Sequence, residues 1–401
     1  MVKILKPVAL IIVVIFIGLC VAPAKAITAA DTSPLRVVCI GDSITDGGAL
    51  VNGELTMTYR FPLWKKFVDA GVEVAFLGRT TTSSYNVYKD KVFPTEHLGW
   101  GGKRIETVNQ YLKDGEWGTA DAGFDIAIIL IGHNNVAAWD ATPRPTVPEF
   151  NALMKDLIAT VRAKQPNVKI IFQTTPSNII KEYELEYKNI ATQANTVASP
   201  LYYIPVPPTF KNTQDLYDGV HPNVKGEIKI ANGMWNVLQY LVGAATLPTP
   251  GVSVLTDAVR VISGTALEGE TVAVSIGTKS FNSVISNKTW KVTVPVALKA
   301  GTKISVFAKI NDIASKAKVV YVIPATPKVS PIKANATSVK GSASKGGVVY
   351  VKIGAKTYTA KASISSGAFS VKIPKIKKGT IVVVTCKAGG KISAKKTVKV
   401  A

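Results

Sequence analysis

The sequence predicts an α/β three-layer sandwich, a parallel sheet flanked by helices, followed by two small all-β sandwiches. Three observations lead there. Short apolar runs alternate with helix-periodic segments from Arg36 to about Leu241. At "LPTPG" (247–251) the texture turns to Val, Thr, Lys and Gly with frequent turns. Beyond that point the chain repeats itself at an offset of about 77 to 79 residues.

Taken in order, the first element is a secretory signal peptide over 1–26. Lys3 and Lys6 precede an apolar run from about Val8 to Val21, and Ala24-Lys25-Ala26 closes it. A basic flank, a short apolar core and an A-x-A exit form the export pattern, and the run is shorter than the roughly 20 residues a membrane span needs. After cleavage two cysteines remain, Cys39 and Cys386, far apart in the chain. An exported protein without a disulfide framework suits a bacterium, secreted or held at the wall.

The α/β domain is expected over 35–242. Its strands are "RVVCIG" (36–41), "VEVAFLG" (72–78), "DIAIILIG" (125–132), "KIIFQTT" (169–175) and "LYYIPV" (201–206). They are nearly continuous in apolar residues, as strands covered on both faces must be. Helical periodicity falls on 59–70, 147–164, 182–195 and 223–241. Alternation of the two implies parallel strands, and ligands then gather at the strands' carboxyl ends. Ser43, His133 and Asn134 all fall just past such ends.

Two β-sandwiches are expected over 252–323 and 328–401, joined by the proline-bearing "VIPATPKVSP" (322–331). "SGTALEGETVAVSIGTKSF" (263–281) matches "KGSASKGGVVYVKIGAKTY" (340–358), and "WKVTVPVALKAGT" (290–302) matches "FSVKIPKIKKGT" (369–380). These modules resemble the bacterial immunoglobulin-like domains appended to exported proteins.

The formal net charge of +22 is unevenly placed. From Gly251 onward 25 Lys and Arg face 4 Asp and Glu, whereas the first 250 residues are close to neutral. Lysines can guard edge strands, and they can also bind a polyanion such as an anionic cell-wall polymer. Nucleic acid fits poorly with an export signal.

The chemistry reads from four short blocks. A serine needs a base to remove its proton, usually an imidazole held by a carboxylate. Ser43 lies in "GDSIT", and "DGVHP" sets Asp218 three residues before His221, near enough to fold back within one turn. A tetrahedral oxyanion needs preorganised donors. Gly102 in "GWGG" offers a backbone N–H, Asn134 in "GHNN" a side-chain amide, and Ser43 its own N–H.

In this order the blocks resemble the SGNH (GDSL-type) hydrolase superfamily, over about residues 35 to 242. "PLRVVCIGDSITDGG", "TYRFPLWKKF", "HLGWGGKRI" and "DGVHPNVKG" are similar to carbohydrate esterases that remove acetyl groups from xylan. The resemblance implies Ser43 as nucleophile, His221 as general base, Asp218 as its orienter, and an oxyanion hole of Ser43, Gly102 and Asn134. Asp42, Trp100, His133 and Trp139 are expected at the substrate. Neither cofactor nor metal is implied. Asn135 stands where the family usually has Asp, and Leu98 and Gly101 also depart from its pattern. The implied activity is O-deacetylation of a polysaccharide through an acyl-enzyme. A lipase or lysophospholipase, or a silent wall-binding protein, are the alternatives.

Overall fold

The computed structural model describes residues 33–47, 50–51, 54–55, 57–82, 87–137, 143–176, 183–267 and 270–401. The expected signal segment and Trp139 lie outside them.

The α/β domain opens with β1 (Leu35–Gly41) and the one-turn helix α1 (Ser43–Asp46). A small hairpin, β2 (Leu50–Val51) and β3 (Glu54–Leu55), leads to helix α2 (Arg60–Asp69) and strand β4 (Val74–Leu77). Strand β5 (Thr80–Thr81), the hairpin β6 (Val87–Tyr88) and β7 (Lys91–Val92), strand β8 (Glu96–Gly99) and helix α3 (Ile105–Lys113) follow. Then come β9 (Ile126–Leu130), α4 (His133–Ala137), α5 (Val147–Lys164), β10 (Lys169–Gln173), α6 (Glu184–Ala194) and β11 (Leu201–Ile204). The short α7 (Asn212–Asp215) and the long α8 (Val224–Leu241) complete it.

The sheet runs β11-β10-β9-β1-β8-β5, with β4 also paired to β1. All pairings are parallel except β5 on β8. Alternation along each strand divides the core. Val38, Ile40, Ala127, Ile129, Ile170 and Phe172 face α3, α5 and α6, while Val37, Cys39, Ile126, Ile128 and Ile171 face α2 and α8. Both faces are covered, which is why these strands lack polar alternation. Helix α5 starts where its sequence says it must. Thr146 and Glu149 form a reciprocal capping box with a proline in the first turn.

The first C-terminal module comprises β12 (Gly251–Val252), β13 (Val261–Thr265), β14 (Thr271–Ile276), β15 (Lys279–Val284), β16 (Thr289–Thr293), β17 (Lys303–Ile310), β18 (Ile313–Ala314) and β19 (Lys318–Tyr321). The second repeats the plan with β20 (Lys328–Val329), β21 (Ser338–Ser342), β22 (Val348–Ile353), β23 (Lys356–Lys361), β24 (Ala368–Lys372), β25 (Ile381–Ala388), β26 (Lys391–Ile392) and β27 (Lys396–Lys399). Each module packs a three-stranded sheet on a five-stranded one, and each has its own apolar core. The internal repeat in the sequence is therefore a repeat of structure.

The modules also dock alike. The β17–β18 turn meets edge strand β11, where Asn311 Nδ2 donates to Leu201 O at 2.7 Å and the Tyr202 hydroxyl donates to Asp312. Ile310 and Ile313 pack beside it against the α/β core. This contact covers the sheet's edge, a place where unpaired backbone groups would otherwise be exposed. The equivalent β25–β26 turn meets the first module instead. There a Cβ on Gly389 would lie 1.9 Å from Ala300 O, so the two backbones approach as only glycine permits.

Candidate active site

Strand β1 ends at Gly41, and the chain turns at once into α1. A Cβ at Gly41 would lie 2.2 Å from Leu130 O and from Thr45 Oγ1, so glycine lets the turn sit directly on the sheet. Asp42 caps the turn by accepting from Ile44 N at 3.1 Å. The result projects Ser43 from the carboxyl end of the central strand.

Ser43 meets His221 there. His221 Nε2 lies 2.9 Å from Ser43 Oγ, and His221 Nδ1 lies 2.6 Å from Asp218 Oδ2. The second Asp218 oxygen accepts the backbone N–H groups of His221 at 2.7 Å and Val220 at 2.9 Å. Burial works to raise the Asp218 pKa, but these hydrogen bonds and the imidazole outweigh it and hold the carboxyl below its ordinary value. Tyr217 stacks on the His221 ring at 5.7 Å. The loop itself is tied down by Asp215, whose buried carboxylate accepts Lys211 N at 2.6 Å and Lys229 Nζ at 2.7 Å. Residues 178 positions apart in the chain thus form one hydrogen-bonded relay.

The three expected oxyanion donors come from the same end of the sheet. Gly102 has φ +70° with open space around its Cβ position, so it is backbone conformation that calls for glycine. Asn134 sits on α4, immediately past β9, and its amide donates to Lys103 O at 2.9 Å. That bond ties the loop carrying Gly102 to the helix carrying Asn134 and leaves the amide a second hydrogen to donate.

Asn135, in the place of the family's Asp, is fully buried. Its Oδ1 accepts from Ile105 N at 2.9 Å, capping α3, and its Nδ2 donates to Glu106 Oε2 at 2.8 Å. An amide satisfies both partners. A carboxylate would face Glu106 with like charge.

The expected substrate contacts divide. Asp42 is completely buried and serves as a cap within the turn, which corrects its placement at the substrate. Burial pushes its carboxyl up to about 6, against the pull of Ile44 N–H and the His221 ring. Trp100 packs on the α3 side of the core, its ring 5.5 Å from that of Tyr111. His133 is buried close to the relay, and burial together with the neighbouring His221 lowers its pKa to about 4. It is neutral at physiological pH. His97 is scaffold: its Nδ1 accepts Gly99 N at 3.0 Å, and burial beside Arg60 lowers its pKa to about 2. Cys39 and Cys386 are buried free thiols, and burial raises Cys39 to about 12.

One residue of consequence lies within the "TYRFPLWKKF" block but has no role that the sequence names. Arg60, at the start of α2, is fully buried behind α1. Its guanidinium donates to Thr45 O at 2.9 Å, Asp46 O at 3.3 Å, Thr95 O at 2.8 Å and Thr82 O at 2.6 Å. Two of those carbonyls belong to the turn that bears Ser43, so Arg60 fastens that turn to the neighbouring loops. A surface hollow of about 790 Å³ lies elsewhere, beside Trp290 and Thr289 of the first module, and none of this chemistry borders it.

Residues 39–227 match the model of the GDSL-like Lipase/Acylhydrolase family. They are a GDSL-like acylhydrolase domain. This GDSL domain belongs to a class of carboxylic ester hydrolases. Among solved structures, a family 3 carbohydrate esterase from Talaromyces cellulolyticus is 22% identical, with a TM-score of 0.44, over 53% of this chain and 100% of that one. A family 3 carbohydrate esterase from Clostridium thermocellum is 19% identical, with a TM-score of 0.41, over 53% and 100%. An acetyl xylan esterase from Geobacillus stearothermophilus is 16% identical, with a TM-score of 0.38, over 54% and 98%. A curated relative, the cell wall-associated protease of Bacillus subtilis (strain 168), is 34% identical over 158 residues, which is 38% of this chain. The chain spans 17% of that protease's length.

Proposed function

We propose that the protein is a secreted serine esterase that removes O-acetyl groups from a polysaccharide through an acyl-enzyme. The observation that carries the chemistry is the continuous relay Ser43–His221–Asp218, with contacts of 2.9 and 2.6 Å. In it, His221 Nε2 takes the Ser43 proton as Oγ attacks the acyl carbonyl. The Asp218 carboxylate steadies the imidazolium through Nδ1–H. The oxyanion is received by the N–H groups of Ser43 and Gly102 and the free hydrogen of the Asn134 amide. His221 then gives its proton to the departing sugar oxygen, which leaves as a hydroxyl, and activates the water that releases acetate.

The acetyl-polysaccharide assignment rests on the blocks around Ser43, Gly102 and His221, which are similar to those of carbohydrate esterases acting on xylan. Export rests on the sequence pattern of residues 1–26, and likeness to a protein named for its association with the cell wall is in keeping with it. Acetate release from acetylated xylan and from a chromogenic acetate ester tests the reading. Ser43→Ala should abolish both. Retained turnover in that variant ends it, and hydrolysis of octanoate in preference to acetate esters moves the substrate to lipid.

A further inference from the structure

The second module holds 16 lysines between Pro324 and Ala401, with no arginine and no acid. Its exposed sheet face arranges part of that charge. On the outer side of β23-β22-β25-β27, Lys361 and Lys387 flank Val348. Thr359 and Thr385 flank Tyr350 in the next row, and Lys352 lies opposite Thr357 and Val383 beyond it. Lys399 follows, opposite Ile381. The buried partners of this alternation, Val349, Val351, Val382 and Val384, face the core.

We infer that this face binds a flexible linear polymer of phosphodiesters. Edge protection does not account for the charge, because Lys352 and Lys387 stand on the central strands β22 and β25. Nor does the fold demand it. The first module builds the same sheet with Lys309 at the position of Lys387 but with Val284, Ser275 and Tyr321 at the positions of Lys361, Lys352 and Lys399. At about 3.3 Å per residue and 4.8 Å per strand, the four lysines frame a patch roughly 14 by 20 Å. Threonine and tyrosine hydroxyls lie between the charges as hydrogen-bond donors. Ammonium groups bind phosphate oxygens as point charges, without the fork geometry of a guanidinium, so a flexible chain of phosphodiesters can be held in many registers. Repeated weak contacts along one polymer would add up through effective concentration.

The test uses the full chain and a synthetic poly(glycerol phosphate). Binding should weaken at least about tenfold between 50 and 300 mM NaCl, because the charges are exposed and screened. The variant Lys352→Ser, Lys361→Val, Lys399→Tyr places the first module's residues at the same strand positions, which keeps the sheet intact. It should lose about tenfold or more in affinity, with turnover of a chromogenic acetate ester unchanged. A control of equal charge on the opposite sheet, Lys328→Ser, Lys340→Ser, Lys372→Thr, should lose less than about threefold. Equal losses in the two variants, salt-insensitive binding, no binding, or tighter binding to polygalacturonate or duplex DNA overturns the inference.

Discussion

The GDSL domain and the two modules behind it place their polar groups oppositely. The domain buries Asp42, Arg60, His97, His133, Asn135 and Glu227 around the turn that carries Ser43. The modules keep apolar residues inside and put nearly all their charge on the surface. Burying an ionisable group is costly unless its bonds are met. Chemistry gives the domain a reason to bear that cost, because fixed donors and a fixed nucleophile are what catalysis requires. The modules have only to fold and dock, so their polar residues are free to serve the surface.

The comparison is broken most severely at the relay. His221→Ala should lower kcat/KM by on the order of 10⁴-fold or more with the fold retained, since the members act as a unit. Circular dichroism and steady-state kinetics on the same preparation check both halves of that statement.

Arg60→Met comes next. It strips the guanidinium from four buried or half-buried carbonyls, and hydrogen bonds to charged groups are worth ~1.5–3 kcal/mol each before compensation. A loss of about 3 kcal/mol in unfolding free energy is expected, with kcat falling because the Ser43 turn loosens. Denaturant unfolding and kinetics together separate this from a purely structural loss.

Asp42 sharpens the comparison through pH. Its folded pKa of about 6 lies above the ordinary 3.8, so the stability gained by keeping it neutral is present below pH 3.8 and is lost as pH rises through 6. About two units correspond to roughly 3 kcal/mol at most. Asp42→Asn keeps the acceptor for Ile44 N and should remove that slope between pH 4 and 7, leaving the variant the more stable at pH 7.5. Urea unfolding across that range reads it directly. Glu227, also buried with a raised pKa, contributes in the same direction in both proteins and cancels in the difference.

The smallest effect is expected at the junction. Asp312→Ala removes the acceptor of the Tyr202 hydroxyl and should cost about 1 kcal/mol or less of domain docking. Increased protease cleavage near residues 243–250, with esterase turnover unchanged, is the expected reading.

Much of this was legible in the sequence, and the rest has a physical reason for being hidden. The helix over 147–164 was readable to the residue because its cap and periodicity agree. Strand β8 was not, since "EHLG" is four residues long and mixes Glu and His with apolar neighbours. Helix α3 carries Ile105, Val108 and Leu112 at helical spacing, but it is short and Arg104 at its start makes no side-chain cap, so its beginning leaves no mark in the sequence. Ser43, Asp218 and His221 announce themselves because side chains do their work. Arg60 does not, because its partners are backbone carbonyls, which leave no mark on residue identity. Asp42 lies beside Ser43 in the sequence and reads there as a substrate contact, whereas a cap must point into its own turn.

The central claim is that Ser43 is a nucleophile activated across the crevice by His221. A serine-reactive fluorophosphonate followed by peptide mass spectrometry tests it most directly. One adduct on Ser43, formed far more slowly in His221→Ala, is the predicted result. Labelling of a different serine, or an unchanged rate without the imidazole, would contradict it.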